Sequence, residues 1–221
     1  MSQKLAGIGD RKRMPNAKIA IDVPILRSMR ARPSASAFSP KHFSSLGNPA
    51  AVRQALSRLT KAGKVRRIRR GLYDLPREHP IIGQIAPDPM AAVRALMEGS
   101  RAQWQVSGAY AANLLGLSEQ VPAKIVILTD GVPRRVLLGK MTLQFRRAAP
   151  RYLLGIGRGA GLVLQALRHL GPKHVTEAHV RLLHTKLDQE TKEELGKLAP
   201  HFPRWMQPII AQVISVKTPA P

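Results

Sequence analysis

Twelve polar side chains within residues 41–70 are of the types that bind DNA. Arginine and lysine bind phosphate or guanine, glutamine and asparagine can bind adenine, and serine donates to phosphate oxygens. The predicted DNA contacts are Lys41, Asn48, Arg53, Gln54, Ser57, Arg58, Lys61, Lys64, Arg66, Arg67, Arg69 and Arg70. Asp74 is the only acid between residues 39 and 75. Because the segment carries charge of almost one sign, a polyanion is its expected partner.

Two helix starts position these side chains. Ser39 can cap a helix, and Pro40 follows at the first helical position, where its missing N–H costs nothing. This helix is expected to end at Gly47. Asn48 and Pro49 repeat the same signal at once, which predicts a second helix after a tight turn. The two helices together form a predicted helix-turn-helix.

The second helix is amphipathic. Val52, Leu56 and Leu59 recur at spacings of three and four and should face the core, which leaves Arg53 and Gln54 on the opposite side. Residues 64–75 then alternate apolar and cationic side chains around a basic tip at 69–71, which favours a short hairpin. Helix-turn-helix and hairpin together predict a winged helix-turn-helix.

A plainer alternative is an amphipathic helix beside a solvated, charged hairpin. The one-signed charge argues against it, because a hairpin with so many like charges repels itself unless an anion neutralises them. Duplex DNA is favoured over RNA, because a helix fits the major groove and sequence-specific RNA binding usually needs aromatic platforms. Only Phe38, Phe43 and Tyr73 are aromatic here, and two of them are expected in the core.

Composition limits the class of protein. The chain has 221 residues, of which 44% are hydrophobic, and a net charge of +23. Residues 1–80 carry +14 and residues 81–221 carry +9, so both halves favour a polyanionic partner. There is no cysteine for disulfides or thiolate metal sites. No apolar run approaches the ~20 residues of a membrane span, and no signal sequence is evident. We expect a cytoplasmic protein, associated with the nucleoid through DNA.

The pattern predicts an α+β chain of two domains. Residues 1–78 form the winged helix-turn-helix domain with a basic N-terminal arm, and a connection at 76–80 leads to a mixed C-terminal domain at 79–221. Asp88 and Pro89 begin a helix there. Strands at 124–129, 135–138 and 141–147 are expected to form a small antiparallel meander, and the chain becomes helical from residue 159.

Other constellations do not predict an active site. The glycines at 155, 157, 159 and 161 follow no hydrophobic strand, so a flexible joint is favoured over a nucleotide site. His169, His174, His179 and His184 recur every five residues and diverge around a helix, whereas helical zinc pairs are four apart. Satisfied or exposed histidines are expected. We predict no cofactor, no metal site and no enzyme activity.

Three segments resemble the AbiEi family of abortive-infection antitoxins, which belong to type IV toxin–antitoxin systems. They are F-S-S-L-G-N-P-A-A-V-R-Q-A-L-S-R-L-T-K-A-G-K-V-R-R-I-R-R-G-L-Y-D-L-P at 43–76, S-G-A-Y-A-A-N-L-L-G-L-S at 107–118 and V-P-A-K-I-V-I-L-T-D-G at 121–131. The resemblance covers roughly residues 20–150 by motif, and residues after 150 match no motif of the family.

The resemblance implies a phage-defence antitoxin that represses its own operon. Its winged helix-turn-helix would bind inverted repeats in double-stranded DNA upstream of that operon. The family's DNA-contacting role falls on Arg53, Gln54, Ser57 and Arg58 and on Arg66, Arg67, Arg69 and Arg70. Its C-terminal domain would oppose a nucleotidyltransferase-like toxin without a stable complex. The alternative is a nucleic-acid-processing enzyme or subunit that uses the winged helix to dock its substrate.

Overall fold

The computed structural model describes residues 21–33, 35–81 and 83–215. It is a mixed α+β structure that divides into two compact units, one ending at Gly99 and the other beginning at Ser100. The predicted basic arm at 1–17 lies outside the described residues.

The first unit begins with three helices. They are α1 (Asp22–Arg30), a 3₁₀ helix (Pro40–Leu46) and α2 (Pro49–Lys61). The predicted caps are confirmed: the Ser39 hydroxyl accepts from the Lys41 amide at 3.2 Å, and the Asn48 side chain accepts from the Ala51 amide at 2.9 Å. Sequence placed the first of these two helices correctly, although its geometry is 3₁₀ and not α.

Two hairpins and a further helix complete the first unit. Strands β1 (Arg66–Arg69) and β2 (Leu72–Asp74) pair antiparallel, as do β3 (Glu78–His79) and β4 (Gly83–Gln84). Helix α3 (Pro89–Met97) begins at the predicted Asp88 cap. The first unit therefore continues past the predicted domain boundary at residue 78. It does so because α3 packs against β2, and Asp88 N–H donates to the Ala35 carbonyl at 2.9 Å.

One core lies behind α2 and the first hairpin. Val52, Leu56 and Leu59 on α2 are buried, as the apolar spacing predicted, against Ile25 and Met29 of α1. Phe38, Phe43 and Tyr73 are all buried as well. Phe38 also joins β2, where it exchanges backbone hydrogen bonds of 2.8 and 2.9 Å with Tyr73. The hairpin is thus anchored to the helices through its second strand.

The second unit combines a four-stranded sheet with five α-helices among the described residues. Its strands and helices, in chain order, are β5 (Trp104–Ser107), α4 (Ala109–Leu115), β6 (Lys124–Thr129), β7 (Arg134–Leu138), β8 (Met141–Arg147), a 3₁₀ turn (Pro150–Tyr152), α5 (Gly159–Leu170), α6 (Glu177–Lys186), α7 (Gln189–Leu198), a 3₁₀ turn (Ala199–His201) and α8 (Met206–Ser215).

The sheet is mixed, so the predicted antiparallel meander was wrong in its strand order. The order is β5-β6-β8-β7, and β6 pairs parallel to β8, with Ile125 opposite Leu143 and Ile127 opposite Phe145. After β6 the chain skips one strand position and forms β7 at the edge of the sheet. A hairpin then returns the chain, so that β8 lies between β6 and β7. These four opposed side chains are all buried, so the two central strands, β6 and β8, share a buried apolar face.

Gly155 and Gly161, around the start of α5, pack closely, where a flexible joint was expected. A Cβ atom at Gly161 would lie 2.3 Å from the carbonyl oxygen of Gly155. Gly155 also has a φ of 68°, which favours glycine. Because neither glycine has a Cβ atom, the turn at 155 can pack directly against the first turn of α5. Residues of α5 on both sides of this contact are buried.

Candidate nucleic-acid interface

Helix α2 presents a polar face on the side opposite its core residues. Arg53, Gln54, Ser57 and Lys61 are all exposed. They lie at spacings of three and four residues, so they share one side of the helix. The structure therefore brings together four of the predicted contacts on a single helical surface.

The hairpin after α2 carries the next group of cations. Lys64, Arg67, Arg69 and Arg70 are exposed. The register shifts between Arg67 and Arg69, and the turn closes at Gly71 with a φ of 80°, where a side chain would be strained. The bulge and the turn place Arg69 and Arg70 at the tip of the hairpin, with Arg67 beside the bulge.

Lys41 lies in the first turn of the 3₁₀ helix and Asn48 caps α2, and both are exposed. The Lys41 ammonium donates to the Gly99 carbonyl at 3.4 Å, and the Asn48 oxygen is used as the helix cap. Lys41 and Arg53 line one cavity of about 490 Å³, together with Gly71 of the hairpin. The 3₁₀ helix, α2 and the hairpin turn are therefore neighbours around this cavity.

Arg58 is engaged within the protein. Its Nε donates to Asp22 Oδ2 at 3.1 Å and its Nη2 donates to Asp22 Oδ1 at 2.5 Å, in a bidentate pair between α2 and α1. Hydrogen bonding to Asp22 raises the pKa of Arg58 above its ordinary value. The predicted DNA contact of this side chain therefore competes with an ion pair that holds two helices together.

Arg66 is engaged still more fully. It pairs with Asp74 across the hairpin through two hydrogen bonds, one of them from Nε to Oδ1 at 2.8 Å, and its Nη2 donates to the Ile85 carbonyl at 2.6 Å. Hydrogen bonding to Asp74 raises the pKa of Arg66. The single acid of the segment is therefore buried against an arginine, and the remaining cations of the hairpin face solvent.

A chain of polar contacts fixes the 3₁₀ helix, and sequence reasoning missed it. Glu98, just after α3, accepts from the Ser39 hydroxyl at 2.6 Å and lies 3.2 Å from His42 Nδ1. The other nitrogen of His42 is 3.5 Å from the Ser28 hydroxyl on α1. The contacts join residues 28, 42 and 98, so no local sequence signal could have indicated them.

Three of the evenly spaced histidines of the second unit have partners within the protein. His174 contacts the Leu170 carbonyl at 2.9 Å, His179 completes the cap of α6, and His184 contacts the Val213 carbonyl of α8 at 2.8 Å. Within the described part of the chain, no group of three or more histidines and acids is placed to hold a metal ion.

A family model matches residues 24–195. The chain belongs to DUF6088, a family of unknown function. The matched range begins within α1 and ends within α7, so the DUF6088 region includes every predicted DNA contact. No curated protein matches the chain. Among the described residues of this DUF6088 member, no helix is both long and apolar enough to cross a membrane.

Proposed function

We propose that the chain is a sequence-specific DNA-binding repressor whose first unit is a winged helix-turn-helix. The observation that carries the proposal is the exposed cationic surface formed by α2 and the hairpin. Arg53, Gln54, Ser57 and Lys61 on α2 adjoin Lys64, Arg67, Arg69 and Arg70 on the hairpin. Asp74, the only acid between residues 39 and 75, is buried, so the electrostatic potential of this exposed surface is positive.

The shape of this surface suits duplex DNA. Helix α2 has 13 residues, and a helix of this kind enters the major groove, which is about 12 Å wide. Arg53 and Gln54 would then contact base edges. The hairpin cations would bind the phosphates beside the groove and fix the position of α2 along the duplex. The three aromatic side chains of the segment are buried, which leaves no stacking platform for single-stranded RNA.

A wider role as an antitoxin is part of the proposal. It is supported by the resemblance of residues 43–76, 107–118 and 121–131 to AbiEi antitoxins. In this role the protein represses its own operon through inverted repeats, and it opposes a nucleotidyltransferase-like toxin without forming a stable complex. The second unit would supply the antitoxic activity.

The test of repression compares DNA from immediately upstream of the gene with scrambled DNA of equal length. Gel shifts at ~150 mM salt are expected to show binding to the upstream DNA that is tighter by at least about 10³-fold. Arg53→Ala should reduce this preference, whereas Arg30→Ala, which removes an exposed arginine from the last turn of α1, should preserve it. Equal binding to both DNAs, lost by that salt concentration, would mean that charge alone drives binding.

The antitoxin role requires a separate measurement. The chain is expressed from an unrelated promoter together with the toxin gene of its own operon, so that autorepression cannot contribute. Growth should be restored by the wild-type protein and by Arg53→Ala alike. The toxin should not co-purify with either protein. Failure to restore growth would remove the antitoxin role and leave the repressor proposal to stand on DNA binding.

A further inference from the structure

A cationic cavity lies wholly within the second unit, beside the end of β8 and the C-terminal half of α5. Its volume is about 560 Å³. Arg146 and Arg147 line it from β8, and Arg168 and His169 line it from α5, with Tyr152 between them. None of the described residues that line the cavity is acidic. The concentration of positive charge is therefore not offset at the cavity wall.

Arg168 is the most buried of these cations. Its Nη1 is shielded from solvent and has no hydrogen-bond partner among the described residues. Its Nη2 makes a long contact of 3.5 Å with the Arg151 carbonyl. Burial lowers the pKa of Arg168; attraction to Tyr152 opposes this, and repulsion from Arg151 adds to it. An anion in the cavity would relieve both the burial cost and the repulsion.

The walls of the cavity are held in place by hydrogen bonds. Gln165 is buried on α5, and its Nε2 donates to the Tyr152 carbonyl at 2.7 Å while its Oε1 accepts from the Ser107 hydroxyl at 3.3 Å. Two guanidinium groups lie over the Tyr152 ring, with the Arg168 carbon at 4.8 Å and the Arg151 carbon at 5.1 Å from its centre. Arg168 is thus positioned before any ligand arrives, which lowers the entropy cost of binding.

We propose that this cavity binds a phosphate-bearing small molecule. Guanidinium groups match phosphoryl oxygens through paired, charge-assisted hydrogen bonds. Arg146 and Arg168 approach from two different elements, so they can bind different oxygens of one ligand. Arg168 and Arg151 already lie over the Tyr152 ring, so we expect recognition through the phosphoryl group and not through this ring.

A small ligand fits the cavity better than a nucleic acid does. Binding pockets for small molecules range from about 300 to 1,000 Å³, and the volume of 560 Å³ falls within this range. A duplex presents its phosphates along a rod too wide for such a recess. This site goes beyond the proposed DNA surface, which lies in the other unit, and does not depend on it.

Calorimetric titration of the full chain with inorganic pyrophosphate and with ATP tests the proposal. Both are titrated at constant ionic strength, with sulfate as an anion that has no phosphoryl group. Saturable binding with a 1:1 ratio is expected for at least one of the two phosphate probes. Comparable affinity for both would assign recognition to the phosphates alone, whereas preference for ATP would assign a nucleoside part as well.

The variants decide where binding occurs. Arg168→Gln and Arg146→Gln should each weaken binding by about tenfold or more, which corresponds to loss of a charge-assisted hydrogen bond. Arg135→Gln is the matched control, because Arg135 is an exposed arginine of β7 that does not line the cavity. It should change the affinity by less than about twofold.

Several outcomes would overturn the proposal. One is that the phosphate probes show no saturable binding, another is that Arg135→Gln weakens binding as much as Arg168→Gln does, and a third is that sulfate binds as tightly as the phosphate probes. A fourth such outcome is that only the binding of a single-stranded oligonucleotide depends on Arg168. The last result would assign the cavity to nucleic-acid phosphates. If Arg168→Gln fails to fold by circular dichroism, Arg146→Gln on the exposed end of β8 decides the question by itself.

Discussion

At the scale of single residues, Arg66 has a structural role that its position in a basic hairpin concealed. Arg66→Ala would leave the buried carboxylate of Asp74 without its partner. We expect a loss of about 3 kcal/mol in the free energy of unfolding, because an unpaired buried charge is costly. Urea denaturation followed by circular dichroism measures this loss.

The neighbouring Arg67 is the natural comparison. It is exposed, and Arg67→Ala should change the free energy of unfolding by less than about 0.5 kcal/mol while weakening DNA binding. A stable Arg66→Ala protein with a defect only in DNA binding would contradict the structural role and return Arg66 to the interface.

The bidentate pair of Arg58 with Asp22 leads to a second prediction. Arg58→Ala and Asp22→Ala should each lower the melting temperature, and the double variant should lose little more than either single variant, because all three remove the same contact. Thermal unfolding of the four proteins completes the cycle. Additive losses would show that the two side chains act independently and would favour a direct DNA contact for Arg58.

Both arginines show why part of the site could not be predicted from sequence. Of the twelve predicted contacts within residues 41–70, ten have exposed side chains. The other two side chains are paired with acids, and only the folded structure brings those acids beside them. Asp22 is 36 residues from Arg58, and Asp74 faces Arg66 only because the hairpin register pairs them.

At the scale of elements, the hairpin should control the salt dependence of DNA binding. Each phosphate contact contributes about 0.9 to the slope of log K against log salt. Replacing Arg67, Arg69 and Arg70 together by alanine should therefore reduce the magnitude of this slope by about 2–3 units. Fluorescence anisotropy of labelled upstream DNA over a series of salt concentrations measures it.

A matched control is available on and just after α1. Arg27, Arg30 and Arg32 are also exposed, and their triple alanine variant removes the same charge from the same unit. It should leave the slope within about one unit of the wild-type value. Equal reductions in the two variants would show that net charge, not the hairpin, sets the salt dependence.

Helix α7 should make the stability of the second unit sensitive to acid. Asp188 caps this helix, and its side-chain hydrogen bond with Thr191 holds the pKa of Asp188 below its ordinary value of 3.8. A carboxyl group with a lowered pKa stabilises the folded state above the unfolded value, and this stabilisation is lost as the pH falls through the folded value. The loss should therefore occur below about pH 4.

The replacement Asp188→Asn isolates this effect. Asparagine also caps helices well but does not titrate in this range. The difference in melting temperature between wild type and variant should shrink or reverse as the pH falls from about 6 to about 3. A constant difference over this range would mean that ionisation of Asp188 does not stabilise the fold.

Elements were predictable where their signals are local. Ser39, Asn48 and Asp88 each precede a proline, and all three cap a helix at the expected residue. The alternation within 141–147 likewise predicted β8. Its antiparallel partner β7 was expected from the short turn between them. Its parallel pairing with β6 was not, because no local sequence signal reports which strands become neighbours in a sheet.

At the scale of the whole molecule, the extent of the first unit shows a similar limit. The prolines at 76 and 80 indicated a connection between domains, yet the unit runs on to Gly99. What extends it is the contact of Glu98 with Ser39 and His42, together with the packing of α3 on β2. The amino-acid composition around a predicted domain boundary cannot indicate contacts between residues that are almost sixty positions apart in the sequence.

The net charge of +23 should make the free protein more stable at higher salt. Self-repulsion destabilises a compact state of high charge, and salt screens it over about 10 Å at 0.1 M. Ion pairs such as Arg66 with Asp74 are buried and are screened much less. We therefore expect the melting temperature to rise as potassium chloride increases from about 0.05 to 0.5 M. Sucrose of equal osmolarity controls for exclusion of solutes from the surface. A melting temperature that falls with salt would mean that exposed ion pairs outweigh repulsion, although the chain has 36 basic and only 13 acidic residues.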